Sequence, residues 1–297
     1  MVKVRYDVAT IGNYTKDTIV TSAGTRQVDG GGCTYAAFAA AALGCRVAVI
    51  TRLAAEDWHV VAALERAGIG AFPTATRAST LMRLEYPTAN VDERILTAAS
   101  TAGSFTAEQV RGIEARAFVI SPSIRGEVSA EVIEELRRQE TIVSADAQGF
   151  VRVRDADGTL HHHEWPERGR VLALLDILKV DAVEAESLTG ERDIRRAASA
   201  LARLGPREVV LTHRKGLLVH AEDGFHEAEF HSASLVGRSG RGDTCLGAYV
   251  GARLSTLPAG ATLWAAAVTS LKMEAQGPIR RSRAEIEEFK QRVYGGG

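Results

Sequence analysis

Cysteine and proline are scarce in this chain, 3 and 7 of 297 residues, and aromatic residues make up only 6%. Cys33, Cys45 and Cys245 are odd in number and form no C-x-x-C pair. That argues against a disulfide framework or a zinc site, and for a reducing cytoplasm. Cys245 reads best as a buried free thiol. Net charge is also nearly missing: 36 Lys+Arg against 37 Asp+Glu leave −1. No bulk field therefore draws the chain to nucleic acid or to an anionic membrane. No apolar run approaches the roughly 18 residues of a membrane span; the longest, around residues 35–45, stops at Arg46. Met1-Val2-Lys3-Val4-Arg5-Tyr6-Asp7 lacks the apolar stretch of a signal peptide. No G-x-x-x-x-G-K-[ST] occurs, which excludes a P-loop kinase on motif grounds. What is present is a 45% apolar chain long enough to bury a substantial core, which argues against disorder.

Residues 6–11 alternate and end at Gly12, as a buried strand and tight turn would. Residues 17–29 and 79–99 are rich in Thr, Val and Arg, with short period-two patches, and predict a small sheet away from the main core. Between them, residues 46–51 predict a strand, Asp57 a cap, 58–67 a helix, and Gly68 its stop. Thr106-x-x-Gln109 has the form of a capping box. From there short apolar strands (117–121, 141–145, 175–180, 208–212) alternate with helices capped by Ser129 and Asp193. That pattern predicts an α/β fold with a parallel sheet covered on both faces. Residues 243–293 read as mostly helical, and the polar stretch 155–168 as a solvated loop.

The sharpest segment is Gly237-Arg238-Ser239-Gly240-Arg241-Gly242-Asp243-Thr244, followed by an apolar run that can form a helix. Alternating glycines let a backbone turn tightly and aim N–H groups at one point, here at a helix N-terminus that favours anions. A carboxylate beside such a point is costly unless it has a task. Accepting the proton of an attacking hydroxyl is one, and serving as a simple helix cap is the bland alternative.

This segment resembles the second signature of the ribokinase/PfkB family of carbohydrate kinases, D-T-x-G-A-G-D. The family's first signature, a glycine pair before an Ala-rich helix closing in L-G, is similar to Gly30-Gly31-Gly32 and the run to Leu43-Gly44. Gly12–Asp17, Asp181-Ala182-Val183-Glu184 before Leu188-Thr189-Gly190, and Thr212-His213-Arg214-Lys215-Gly216 match further family motifs in the right order. The resemblance implies a single ribokinase-like catalytic domain over 1–297: a doubly wound α/β sandwich with a small β-sheet lid from about 17–30 and 79–99. It implies transfer of the γ-phosphate of ATP to a hydroxyl of a small sugar, a polyol such as inositol, or a sugar acid. Asp243 would be the general base, and the backbone N–H groups of Gly240, Arg241 and Gly242 the anion hole. Asp17, Asn13, Gly30, Gly31 and Tyr35 would bind substrate; Thr212, Lys215, Gly216 and Gly277 the nucleotide. Glu184, with Asp181, would hold Mg2+ through water. Lid closure would exclude water.

The departures bear on this. Gly237-Arg238 stands where the family has Asp-Thr, an Asp that commonly helps bind a monovalent cation, so potassium activation is doubtful. Arg241 replaces the Ala of G-A-G, either contacting phosphate or an acidic substrate group, or pointing to solvent. Tyr35 takes the place of a sugar-contacting Asn. The segment 144–152 places Asp146, Gln148 and Arg152 after a strand C-terminus, where open α/β sheets bind ligands. His161-His162-His163 read as a solvated loop, since consecutive imidazoles do not converge on one ion. Arg280, Arg281 and Arg283 are weaker candidates for a phosphate contact. A nucleoside kinase of the same family and a non-catalytic sugar- or nucleotide-binding protein are the alternatives. No nucleic acid or membrane partner is expected. A homodimer through exposed lid strands is.

Overall fold

The computed structural model describes residues 5–22, 24–88, 95–237 and 239–295. A nine-stranded sheet forms the centre, in the order Gly224–Glu229, Gly216–Ala221, Glu208–Thr212, Ile177–Asp181, Ile142–Asp146, Glu114–Ile120, Arg5–Ile11, Val47–Ala54, Gly70–Thr76. All neighbours run parallel except the first three strands, which meander antiparallel. The inner strands are apolar runs because helices cover both faces; Glu208–Thr212 is buried at every position. From Arg5–Ile11 the chain first builds outward through Val47–Ala54 and Gly70–Thr76, then returns to add Glu114–Ile120 on the other side. Such a reversal leaves a crevice at the strands' C-terminal ends, where ligands sit in open α/β sheets. Among the described residues no helix is long and apolar enough to cross a membrane.

Arg241–Arg253 is almost wholly enclosed between this sheet and Gly32–Ala42, and the largely buried Pro258–Met273 packs against Arg241–Arg253, the strands Gly216–Ala221 and Gly224–Glu229 and the helix Arg283–Tyr294. Close packing here depends on small residues: a Cβ at Gly247 would lie 2.2 Å from the Ala36 carbonyl oxygen. All three cysteines are free thiols, and Cys245 is fully buried.

A second, four-stranded sheet has the order Gly24–Gly30, Thr15–Thr21, Thr80–Glu85, Ile95–Ser100. It coincides with the two segments expected to form the lid; positions 89–94 of the second lie outside the described residues. Thr15–Thr21 alternates buried and half-buried residues, as a strand with one covered face does. Its core is a small cluster around Met82, Leu84, Leu96 and Leu160, separate from the large cores on either side of the main sheet.

Two local expectations are corrected. Asp57 does not cap a helix. It lies in a 3-10 turn, Ala55–Asp57, before the helix His59–Arg66, and is 1% exposed. Its carboxylate receives Lys16 Nζ at 2.7 Å and Ser79 Oγ at 2.6 Å, tying the bases of two lid strands to the large domain. The polar stretch 155–168 is not simply a loop. Arg152–Arg154 and Leu160–His162 pair as a hairpin. Its tip joins the lid edge: Ala98 donates its N–H to the Gly158 carbonyl at 2.8 Å, and Arg154 Nε donates to Ala98 O at 2.6 Å. His161 and His163 lie exposed beside Asp155, as solvated residues do. The Thr106–Gln109 capping box is present, but its helix is one turn, Ala107–Val110.

Candidate active site

Three glycines set the geometry around Asp243. Gly240 takes φ +74 as the residue before the helix Arg241–Arg253, and a Cβ there would lie 2.3 Å from the Tyr35 ring. A Cβ on Gly242 would lie 2.7 Å from Lys179 Nζ, and one on Gly32 would lie 2.2 Å from Asp243 Oδ1. The Asp243 carboxylate therefore rests on the bare first turn of Gly32–Ala42 while itself sitting in the first turn of Arg241–Arg253. Both helix N-termini favour its charge. Burial and the neighbouring Asp146 act more strongly the other way and push its pKa up to about 6, with Lys179 and Arg152 opposing them.

Asp243 faces a cavity of about 90 Å³. Asp17 and Thr15 enter it from the lid, Gly31 and Tyr35 from the start of the first helix, and Gln148 and Arg152 from beyond the strand Ile142–Asp146. Asp17 is 9% exposed, and its Oδ1 has no hydrogen-bond partner among the described residues. Burial raises its pKa to about 6, offset in part by Thr15 and by the positive charge of Arg152. A buried acceptor without a donor is costly unless a ligand supplies one.

The structure thus brings Asp17, Gly31, Tyr35, Gly240 and Asp243 to one cavity. Two expected substrate ligands are not among the residues that line it. Asn13 is fully buried and donates Nδ2 to the Gly103 carbonyl at 2.9 Å, while its Oδ1, like that of Asp17, has no hydrogen-bond partner among the described residues. Gly30 has no room for a Cβ because Thr15 Oγ1 and Asp17 Oδ2 lie 2.6 and 2.7 Å from where it would be; it makes space for Asp17.

Asp181 and Glu184 form a reciprocal capping box at the start of Ala182–Thr189: Glu184 Oε2 accepts from Asp181 N, and Asp181 Oδ1 accepts from Glu184 N, each at 2.8 Å. Glu184 is 1% exposed. Among the described residues no three His, Cys, Asp or Glu side chains converge to hold a metal directly. Lys179 is the residue sequence reasoning missed here. It is 4% exposed and places Nζ 2.9 Å from Asp146 Oδ2 and 4.0 Å from Glu184 Oε2, under Gly242. Burial works to lower its pKa, but those two carboxylates, with Asp181 and Asp243, carry it above the ordinary lysine value.

The expected nucleotide residues do not line this cavity. Thr212 is buried at a strand end, with Oγ1 donating to Val180 O at 3.4 Å. Lys215 sits in the following turn, and Gly216 opens the next strand. Phe230 donates its N–H to Lys215 O at 2.7 Å, and the Arg241 guanidinium lies 6.0 Å over the Phe230 ring. Gly277 takes φ +76 beyond Pro258–Met273. Arg280 stacks over Phe38, and Arg281 pairs with Glu285 and Glu274 on the surface, so neither reaches the cavity. Arg238 lies outside the described residues.

No family model and no curated protein matches the sequence. Solved structures do. A pyrophosphate-dependent kinase in the ribokinase family, in complex with sulfate, is 36% identical over 94% of this chain and 99% of its own, with a TM-score of 0.87. The chain belongs to the ribokinase family. A pyrophosphate-dependent myo-inositol-1 kinase, converted into a myo-inositol-3 kinase by a double substitution to leucine, is 34% identical over 97% of this chain and 99% of its own, at the same TM-score. A ribokinase from Arabidopsis thaliana, complexed with ribose and ATP, shares the fold at 17% identity, 97% and 99% coverage and a TM-score of 0.76. As a ribokinase-family carbohydrate kinase, the protein has the fold that its ordered motifs imply.

Proposed function

We propose that this kinase phosphorylates a hydroxyl of a small polyol, with inositol the favoured class, using Asp243 as general base. The observation that carries the reading is the pairing across one cavity of Asp243, with a pKa of about 6, and the unpartnered buried oxygen of Asp17. Asp17 accepts a hydrogen bond from a substrate hydroxyl and fixes the ring. Asp243 takes the proton of the reacting hydroxyl as its oxygen bonds to the donor's terminal phosphorus. The bond from phosphorus to the bridging oxygen breaks, and the leaving group departs with that bond's electron pair. The N–H groups of Gly240, Arg241 and Gly242, at a helix N-terminus, stabilise the developing charge. A carboxyl near neutrality is suited to the proton transfer, because it is mostly ionised at pH 7 yet basic enough to accept. The lid carries Asp17 and would exclude water on closing.

The favoured donor is inorganic pyrophosphate. What supports it is identity of 34–36% to pyrophosphate-dependent kinases, twice that to the ATP-bound plant ribokinase. A donor without a nucleoside must draw its affinity from charged contacts alone, and Lys179 and Arg241 flank the glycine loop. ATP remains the second reading, favoured by the Thr212–Gly216 segment. Asp181 and Glu184, two carboxylates oriented by their capping box, suit a hydrated magnesium ion, which would supply charge neutralisation on the donor's phosphates.

The test is product formation from pyrophosphate or ATP, each with magnesium, across inositols, pentoses, hexoses, sugar acids and nucleosides. Turnover of an inositol with pyrophosphate is expected, and Asp243→Asn should lower it by at least ~10²-fold. Turnover only with ATP would replace the donor assignment, turnover only of a nucleoside would replace the substrate, and a fully active Asp243→Asn would remove the base.

A further inference from the structure

The departure at Gly237 has a structural counterpart in a buried lysine. Lys272, near the end of Pro258–Met273, is 1% exposed. Its Nζ donates to the Gly237 carbonyl at 2.7 Å and to the Ser239 carbonyl, and lies 5.1 Å from the centre of the Tyr35 ring. Among the described residues it has no carboxylate at ion-pair distance. Backbone carbonyls and an aromatic face are what hold a partly dehydrated monovalent cation.

The rest of the loop excludes an ion from that place. A Cβ at position 237 would lie 1.9 Å from the Ala275 carbonyl oxygen, so no acidic side chain fits there. The N–H groups of Val236 and Gly237 both donate to Met273 O, at 2.9 and 3.0 Å. The residues present therefore do not fit the monovalent cation that the family resemblance suggests.

We propose that the Lys272 ammonium is a built-in monovalent cation that holds the Gly237 and Ser239 carbonyls and so fixes the anion-binding loop without a potassium ion. The peptide group joining Ser239 to Gly240 is planar, so turning its carbonyl toward Lys272 turns the Gly240 N–H away from it. Gly240 lines the catalytic cavity. Lys272 is thus a positioning residue for the anion hole, acting through the backbone. Burial pulls its pKa down to about 8, with Asp243 opposing, which leaves the amine charged at neutral pH.

The test compares melting temperature in potassium, ammonium and choline chloride at equal ionic strength, for the wild type, Lys272→Ala and Lys272→Arg. This needs no turnover; only the activity readout rests on the kinase reading. The wild type should melt alike in all three salts. Lys272→Ala should melt several degrees lower in choline and recover in potassium or ammonium, because a free ion enters the vacated carbonyl cage. Turnover of Lys272→Ala in choline should fall about 10²-fold, the loss expected for a displaced anion-hole donor, and recover several-fold with ammonium. Lys272→Arg should stay insensitive to the salt. A potassium-specific rise in the wild type's melting temperature or turnover would overturn the proposal. So would a folded Lys272→Ala that is fully active in choline, or inactive and blind to all three salts. If Lys272→Ala fails to fold, the wild-type salt comparison decides. If no substrate is turned over, the kinase reading fails and the melting series still decides Lys272.

Discussion

Lys179 and Lys272 are both buried lysines on either side of one glycine loop, yet their surroundings differ in kind. Lys179 faces carboxylates, with Asp146 at 2.9 Å and Glu184 at 4.0 Å, and its pKa is raised. Lys272 faces two backbone carbonyls and an aromatic ring, and its pKa is lowered to about 8. Full charges compensate for the lost hydration of an ammonium where dipoles do so only in part. The two lysines therefore divide the work. Lys179 neutralises an acidic floor beneath Gly242, and Lys272 orients backbone beside Gly240.

The largest way to break this contrast is Lys179→Met. It leaves Asp146 and Glu184 buried without their cation, which should cost about 3–5 kcal/mol of stability in chemical denaturation. Adding Asp146→Asn should return part of that loss, since the double variant leaves one fewer unpaired charge; a double-mutant cycle measures the coupling. Strict additivity would mean that the ion pair is not the cause.

Lys272 gives a smaller effect that depends on pH. In the folded protein its proton leaves near pH 8, while the unfolded chain keeps it to the ordinary lysine value. The unfolded state thus binds more protons across that window, and stability rises with pH through it. Relative to Lys272→Met, the wild type should gain roughly 2 kcal/mol between pH 8 and 10. A flat difference would show that the amine is not desolvated.

Asp17 sharpens the contrast from the acid side and should give the smallest change. Its folded pKa is raised to about 6, so the folded state holds the proton that the unfolded chain has already released. Stability therefore falls as pH rises from the ordinary aspartate value through 6. Asp17→Asn should gain about 1–2 kcal/mol on the wild type between pH 4 and 5.5, seen as a widening difference in melting temperature, while binding substrate far more weakly. A variant no more stable at pH 7 than at pH 4 would remove the linkage.

Much of this was legible in the chain. Short apolar strands alternating with capped helices gave the parallel sheet, and the Gly240-Arg241-Gly242-Asp243 run led directly to the cavity. Period-two Thr/Val segments located the strands of the small second sheet. The two lysines were not legible. A single Lys inside Ile177-Leu178-Lys179-Val180, or between Leu271 and Met273, looks like an interruption until the partners arrive from distant elements; the clue was a charged residue in an otherwise buried run. Asp57 was misplaced for a related reason. Its type suits several roles, and only tertiary contacts with Lys16 and Ser79 decide between them. The hairpin from Arg152 to His162 stayed hidden because its pairing has little apolar pattern of its own.

That hairpin also changes what the lid can recruit. Its tip lies against one outer strand, Ile95–Ser100, while among the described residues no strand pairs with the outer side of Gly24–Gly30. A sheet open along two borders can stack copies without limit, but one open along a single border is used up by a single partner. The polar arm beside the Asp243 cavity thus closes part of the Ile95–Ser100 border to pairing with another strand.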